Sequence, residues 1–507
     1  MQVDKLFLGI DSGTQGTKAV AFSPGQGKII AEASVAHHII ENNAGRREQD
    51  PKWWIDACTK VLHEVLQGKG VVRERIRAIG VSGQQHGFVP LDGRGEVIRP
   101  AKLWCDTETT PQCDEITEKV GGWDKVIELI GNSVAAGFTA SKILWMKQHE
   151  PENYDHLETI LLPHDYINYW LTGEKKSEFG DASGTAYFDV RTRSWSTAIL
   201  EAIDDSGKLA HCLPELIPSD TPVGTIRSRI AERFQLSPNV LVSSGGGDNM
   251  MAAIGTGNVS PGIITMSLGT SGTIYSFTNH PVVDPNGELA AFCSSSGGWL
   301  PLVCTMNVTV ATELTRAALG LNLKDLNEKA SSAPIGSEGI ILLPYFNGER
   351  TPPLPNARAS FFGLTSANYT PENFCRASME GATLGLRYGL EVLIEQGIEP
   401  TEIRLVGGGS KSRLWRQMVA DIFDRPVICP KSDEAGAMGA ALQAMWCYLR
   451  EKEGGASLKE LTDDFISLDE STRSQPETSN VSQYADIYQR YMQINNEMKS
   501  LLEGKCG

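Results

Sequence analysis

At 507 residues the chain is longer than one hydrophobic core accommodates, and two or three domains are expected. A hydrophobic share of 41% beside 21% charged residues is that of an ordinary soluble globular protein. The formal net charge of −16 argues against nucleic acid or an anionic membrane as a partner, so an anionic ligand would need local amide nests, a helix start or a metal.

The 10 cysteines are scattered, without a C-x-x-C or a Cys/His cluster at zinc spacing, and reduced thiols in a cytoplasmic protein are expected. The first residues reach a glycine too soon for a signal peptide, and no apolar run approaches membrane-spanning length.

In chain order, Lys5 to Ile10 reads as a strand that runs into Asp11, Ser12, Gly13, Thr14, Gln15, Gly16, Thr17 and Lys18. A second apolar strand, Ala19 to Phe22, follows. The two glycines among small hydroxyl residues make a hairpin whose N–H groups are able to face an anion. Asp50-Pro51 is a helix start signal before the periodic run Trp53 to Leu66. Ile76 to Gln84 is a strand entering a small-residue turn. Near the middle, the apolar run Asn239 to Val242 leads into Ser243, Ser244, Gly245, Gly246, Gly247, Asp248 and Asn249, and an Ala- and Met-rich helix pattern follows. Asp248 thus stands at a helix start beyond a strand end, where α/β sheets bind ligands. A helix cap is the alternative role for it, compatible with the first.

Ser267, Leu268, Gly269, Thr270, Ser271, Gly272 and Thr273, before a strand at Ile274 to Phe277, repeat the Gly-Thr hairpin of the N-terminus. Ile403 to Ser410, a strand entering Gly407, Gly408, Gly409 and Ser410, repeats Ile76 to Gln84. Two landmarks in the same order imply an internal duplication. Thr370-Pro371-Glu372 opens a helix with a hydroxyl cap, a proline and an acid. Asp469 to Thr478 reads as a surface connector, and the last helix, from Ser479, carries Tyr484, Ile487, Tyr488 and Tyr491 as a packing face. Strands alternating with helices throughout mark an α/β protein.

No G-K-S or G-K-T occurs, which excludes the Walker A mode of phosphate binding, and no H-E-x-x-H occurs either. Taken together, Asp11 to Lys18, Ser82-Gly83-Gln84-Gln85-His86-Gly87, Leu103 to Asp106, Gly246 to Asn249, Ser267 to Gly272, Asn347 to Pro352 and Gly407 to Ser410 resemble the FGGY carbohydrate kinases. The likeness runs from Asp11 to about Gly439. It implies two duplicated actin-like, ribonuclease H-like ATPase domains with a cleft between them. The boundaries expected are 1–257 for the N-terminal domain, 258–460 for the C-terminal domain, and 461–507 for a connector and a helix packed on the latter.

The resemblance also implies the chemistry: ATP-dependent phosphorylation of a ketopentose, D-xylulose first, with Mg²⁺. Phosphoryl transfer needs a base at the acceptor hydroxyl, a metal for the phosphates and donors that hold both in line. Asp248 matches the general base, and Asp11 the carboxylate that acts through the metal. Gln85, His86, Asn249 and Trp104 match sugar-site positions. Gly13, Thr14, Gln15, Thr17 and Lys18, with Gly269, Thr270 and Ser271, match the two phosphate hairpins; Gly408, Gly409 and Ser410 match the adenosine turn.

Two positions depart from the family pattern. Gln85 stands where D-xylulose-phosphorylating members usually have Met, and Asp106-Thr107-Glu108 stands where many relatives read Asp-x-Arg. These departures motivate the alternatives of L-ribulose, a deoxy-xylulose or a polyol as acceptor. A non-kinase actin-like ATPase would dispense with the sugar base. No nucleic-acid or membrane partner is expected, and the assembly expected is a monomer or homodimer.

Overall fold

The structure, a computed structural model, describes residues 5–502. It divides into two compact units that are not contiguous in sequence. The first takes the chain up to Val259 together with Thr278–Leu300 and Glu434–Ile466. The second takes Ser260–Phe277, Pro301–Asp433 and the chain from Ser467 onward. The last helix therefore falls in the second unit, whereas Glu434–Ile466 falls in the first.

The sheet of the first unit is built from β1 (Leu6–Ser12), β2 (Gly16–Ser23), β3 (Lys28–Ala36), β4 (Ile76–Gly83), β5 (Gly224–Thr225), β6 (Leu241–Val242) and β7 (Gly246–Gly247). Its order is β5-β6-β4-β1-β2-β3, with β7 pairing beside the end of β4. The sheet of the second unit is built from β8 (Ile263–Leu268), β9 (Gly272–Ser276), β10 (Leu302–Thr305), β11 (Glu402–Val406), β12 (Val427–Pro430) and β13 (Leu468–Ser474). Its order is β10-β9-β8-β11-β12-β13.

The two sheets follow one plan. Three antiparallel strands open each; the first of them pairs in parallel with the fourth strand, which pairs in parallel with β6 in the first unit and with β12 in the second. An antiparallel edge strand closes each, β5 on β6 and β13 on β12. The duplication read from the glycine hairpins thus extends to strand order and polarity.

One expectation is corrected at this edge. Asp469 to Thr478 is not simply a connector, because β13 forms within it and pairs with β12. An edge strand has a single neighbour and is commonly polar, so Asp469, Glu470, Ser471, Thr472 and Arg473 carry no apolar alternation to announce it. Thr472 Oγ1 accepts the Cys429 amide at 3.0 Å and helps fix the pairing.

In the first unit the two faces of β1 feed two cores, as the period of two requires. Leu6, Leu8 and Ile10 pack with Trp54, Cys58, Val61 and Val65 of the helix Pro51–Val65, whose cap is Asp50. Phe7 packs on the other face with Ala437, Ala440 and Ala441 of the helix Ala435–Glu453. That helix approaches the sheet very closely: a Cβ on Gly9 would collide with the Ala437 carbonyl, and one on Gly80 with that of Ala440.

In the second unit the helix Pro371–Glu395 begins with the Thr370 side chain accepting the Asn373 amide at 3.3 Å. The helix Thr478–Leu502 buries Tyr484, Tyr488 and Tyr491. Tyr484 Oη donates to Glu380 at 2.9 Å and accepts from Arg376 at 2.9 Å, which makes the aromatic stripe a packing face.

Candidate active site

Sheet register assembles the carboxylates of the first unit. Asp11 on β1 lies opposite Ser82 on β4, and Ser82 in turn lies opposite Gly246 on β7. The chain leaving β7 enters the helix Asp248–Gly255, while the chain leaving β4 becomes Gln84, Gln85 and His86. Strand ends that are neighbours in the sheet therefore deliver Asp11, Asp248 and Gln85 to one place.

The triple glycine is dictated by what surrounds it. Gly245 has φ 73, a left-handed conformation, and a Cβ there would meet the Val81 carbonyl at 2.7 Å. A Cβ on Gly247 would meet the Gln85 side chain at 2.6 Å. Gln443, on the helix Ala435–Glu453, grips the same loop: its Oε1 accepts the Gly245 amide at 2.9 Å and its Nε2 donates to the Gly245 carbonyl at 2.9 Å.

Asp248 is the first residue of its helix, and Gly247 occupies the cap position, so the side-chain cap considered for Asp248 is not formed. Its Oδ1 accepts the Asn249 amide at 2.8 Å and Asn249 Nδ2 at 3.1 Å. Burial raises its pKa to about 7, and the charge of Asp11 adds to the rise. Asp11 is likewise raised by burial, with the Ser82 hydroxyl, donating to Oδ1 at 2.7 Å, and Lys18 working against it.

Gln85 is buried, and its Oε1 accepts Asn249 Nδ2 at 2.8 Å. Its Nε2 has no hydrogen-bond partner among the described residues. His86 is also buried, in a left-handed conformation with φ 63. Its imidazole packs against Phe138 and Phe292, ring centroids 4.7 and 5.4 Å away, and a Cβ on Gly184 would overlap it.

In the first hairpin Gly13 N–H donates to the Gly16 carbonyl at 2.9 Å, which closes the turn around Thr14 and Gln15. Trp104 Nε1 donates to Thr14 Oγ1 at 2.9 Å, and Thr14 Oγ1 donates to Gln84 Oε1 at 3.0 Å. Trp104 is thus tied to the hairpin. Thr17 is fully buried between Ser12 and His37, each 2.9 Å from its hydroxyl, so its side chain is structural. Lys18 pairs with Glu434 at 2.8 Å, and its ammonium is directed there.

The second unit carries the repeated hairpin on its own. Gly269 and Thr270 carbonyls accept the Thr309 and Val308 amides at 2.9 and 3.1 Å, which leaves Thr270 exposed at the tip. Gly407 has φ 87, and a Cβ on Gly409 would meet the Leu268 side chain at 2.8 Å, so the turn seats directly beneath the end of β8. The Ser410 hydroxyl is used in the turn, donating to the Gly407 carbonyl at 2.7 Å.

Gly408 and Gly409 line a groove of about 820 Å³ with Thr309, Asn327, Ser412 and Trp415. A nucleoside fits that volume. A Cβ on Gly408 would meet nothing within 4 Å, so this glycine leaves space in the groove.

Sequence reasoning did not single out Gln443, Asn327, Lys142 or Asp181. Asp181 lies in the small-residue stretch Gly180 to Thr185, whose turn composition was the available signal. The other three sit inside ordinary helix patterns. The departure at Glu108 is explained locally: Glu108 and Asp106 accept the buried Lys102 ammonium at 2.6 and 3.2 Å. That ammonium lies 3.4 Å from Glu48 as well, so these three carboxylates surround a protein cation. No helix among the described residues is long and apolar enough to cross a membrane, and the described cysteines are free thiols.

Comparison with known proteins accounts for both units. Residues 6–255 match the N-terminal domain of the FGGY family of carbohydrate kinases, and residues 264–448 match its C-terminal domain. A xylulose kinase from Haemophilus influenzae is 46% identical over 491 residues, covering 96% of this chain and 99% of its own. The crystal structure of a xyloylose kinase from Brucella ovis superimposes with a TM-score of 0.90 at 29% identity, covering 98% of this chain and 100% of that one. A xylulose kinase structure from Bifidobacterium adolescentis gives 0.81 at 30% identity, with 96% and 99% covered. The duplicated sheets are accordingly those of the actin-like, ribonuclease H-like ATPase fold. The chain belongs to the FGGY family of carbohydrate kinases and is an enzyme that takes a sugar and a nucleotide as substrates.

Proposed function

We propose that this kinase transfers the γ-phosphoryl group of ATP to D-xylulose, giving D-xylulose 5-phosphate, with Asp248 as general base. The observation that carries the chemistry is the Asp248 carboxylate, which desolvation brings to about pH 7, where a general base is most effective. The choice of sugar rests on the relatives, which are named xylulose kinases at up to 46% identity over nearly the whole chain.

Asn249 orients the base through its two hydrogen bonds to Asp248 Oδ1. Gln85 and His86 contact the sugar, with the free Gln85 Nε2 as a donor to a hydroxyl. Thr14, Gln15, Thr270 and Ser271 meet phosphate through the exposed turns of the two hairpins, and the groove at Gly408 and Gly409 takes the nucleoside. Base assistance of this kind contributes about 10²–10⁴ in rate.

Asp11 suits a divalent cation. It is a half-buried residue beside Gly436, where a Cβ would crowd Oδ2 at 2.6 Å, and its charge is unfavourable to Asp248 until neutralised. Mg²⁺ bound there, through water, would neutralise phosphate charge. An ATP-consuming enzyme with free thiols belongs in the cytoplasm.

Sugar-dependent ADP release across a panel of ketoses and polyols tests the assignment. D-xylulose is expected to give the highest kcat/KM. The Gln85 amide favours one alternative class, in which L-ribulose or a deoxy-xylulose outperforms it, and equal rates with every sugar would refute the specific claim.

A further inference from the structure

The motif Asn347 to Pro352 has no task in the reaction as described. Its Glu349 is buried in the second unit, on a loop closed by the Glu349 and Leu354 backbones, which exchange hydrogen bonds of 2.8 and 3.0 Å. Glu349 Oε1 accepts the Met306 amide at 2.6 Å and the Arg350 amide at 2.8 Å, and Oε2 accepts Asn307 Nδ2 at 3.1 Å. Asn307 is buried as well; the same nitrogen donates to the Gly348 carbonyl at 2.7 Å, and Asn307 Oδ1 accepts the Asn347 amide at 3.1 Å. Burial raises the Glu349 pKa to about 7, and the donors work against the rise. With a proton on Oε2, Oε1 remains a carbonyl acceptor for both amides, so the anchor at Met306 holds in either form.

Met306 and Asn307 are followed at once by the two residues that hold the second hairpin. The Val308 amide donates to the Thr270 carbonyl at 3.1 Å, and the Thr309 amide to the Gly269 carbonyl at 2.9 Å. A trans peptide is planar, with its C=O and N–H pointing in opposite directions. Fixing the Gly269 carbonyl therefore fixes the direction of the Thr270 N–H, and fixing the Thr270 carbonyl fixes that of the Ser271 N–H. Donors aimed before the ligand arrives need no reorganisation when it binds. The first unit meets the same requirement with its own residue. Gln49, fully buried, donates through Nε2 to the Thr14 carbonyl at 2.8 Å, which aims the Gln15 N–H.

We propose that Glu349 and Asn307 are positioning residues for nucleotide binding: together they anchor residues 306–309, whose amides aim the Thr270 and Ser271 N–H groups at the ATP phosphates. The inference rests on the reading of Thr270 and Ser271 as phosphate contacts. Neither Glu349 nor Asn307 touches substrate; both act through the main chain.

Steady-state kinetics with ATP and sugar varied separately, beside melting temperatures, test it on Glu349→Ala, Asn307→Ala, Glu349→Gln, Tyr484→Phe and Thr270→Glu. Glu349→Ala and Asn307→Ala are expected to raise the ATP KM at least tenfold and leave the sugar KM within twofold. Tyr484→Phe is the stability control in the same unit. It loses the bonds to Glu380 and Arg376 and is expected to melt earlier with the ATP KM unchanged. A merely structural role predicts an ATP KM that tracks lost melting temperature in every variant, Tyr484→Phe included, and that result would overturn the proposal. So would an ATP KM within twofold of the parent, or an equal rise in the sugar KM, in folded Glu349→Ala and Asn307→Ala. Should those two not fold, Glu349→Gln keeps an oxygen for the two amides and sets its NH₂ group against Asn307 Nδ2, donor against donor. It is expected to raise the ATP KM about threefold, and no change would overturn the positioning role. Thr270→Glu puts a negative charge at the exposed tip. An unchanged ATP KM there would remove the phosphate reading and the positioning role with it. A raised ATP KM there beside unchanged Glu349 and Asn307 variants would overturn the positioning role alone.

Discussion

Asn249 holds Gln85: its Nδ2 donates to Gln85 Oε1 at 2.8 Å, and the same nitrogen reaches Asp248 Oδ1 at 3.1 Å. One amide therefore links the base to the side chain that departs from the family pattern, and fixes which end of the Gln85 amide is free. Replacing Gln85→Met removes the free donor and the acceptor of Asn249. A neutral hydrogen bond contributes about 0.5–1.5 kcal/mol. The expected outcome is a rise of about threefold to tenfold in the D-xylulose KM, with the ATP KM unchanged, measured by initial rates.

The pH dependence follows from Asp248. Its pKa is raised by burial and by Asp11 to about 7, and only the carboxylate form accepts the sugar proton. The sugar kcat/KM should rise with pH along an acidic limb centred near 7 and then level off. Stability has the opposite sign. With the folded pKa above the unfolded value of 3.8, stability is fully present below the unfolded pKa and is lost as pH rises through the folded one. Asp248→Asn should therefore gain more in melting temperature over the parent at pH 8 than at pH 5, while losing turnover at both. A gain that shrank toward pH 8 would contradict the assigned shift.

The glycine turn of the second unit separates binding from folding. A Cβ on Gly408 meets nothing within 4 Å, whereas one on Gly409 meets Leu268 at 2.8 Å and Trp415 at 3.1 Å. Gly408→Leu should fold normally and raise the ATP KM by filling the groove. Gly409→Leu should lower the melting temperature as well, because it overpacks the turn against β8. Calorimetry beside ATP-varied kinetics distinguishes the two.

Close helix packing in the first unit makes a further stability prediction. A Cβ on Gly439 would overlap the Met251 carbonyl, and one on Gly255 the Ala435 carbonyl. These are backbone atoms, which do not swing aside. Gly439→Ala is expected to destabilise by about 1–3 kcal/mol, read as a shifted denaturation midpoint.

Much of the architecture was legible because its signals are local. The Asp11–Lys18 and Ser267–Thr273 hairpins combine glycine turns with apolar flanks, and both appear where the sequence puts them. The Asp50 and Thr370 caps likewise act within three residues. Illegible features depend on partners far along the chain. β13 is polar because it lies at an edge, and its pairing with β12 is made across the helices Ala435–Glu453 and Leu458–Phe465. The assignment of Glu434–Ile466 to the first unit depends on small residues meeting Gly9 and Gly80, a fit that composition alone does not display. At the site, Asp248, Asn249 and Gln85 come together as a hydrogen-bonded group. Thr17 and Lys18 share the motif's spacing, but one is buried behind it and the other is paired with Glu434. Lys142 was invisible because its ammonium reaches the carbonyl of His86, 56 positions away.

The most direct test of the central claim is identification of the product by phosphorus NMR and mass spectrometry after incubation with ATP, Mg²⁺ and D-xylulose. A phosphate monoester on the C5 hydroxyl, formed in step with ADP and absent with Asp248→Asn despite retained sugar binding, is the expected result. Inorganic phosphate as the only new phosphorus species, or an undiminished ester from Asp248→Asn, would contradict the account.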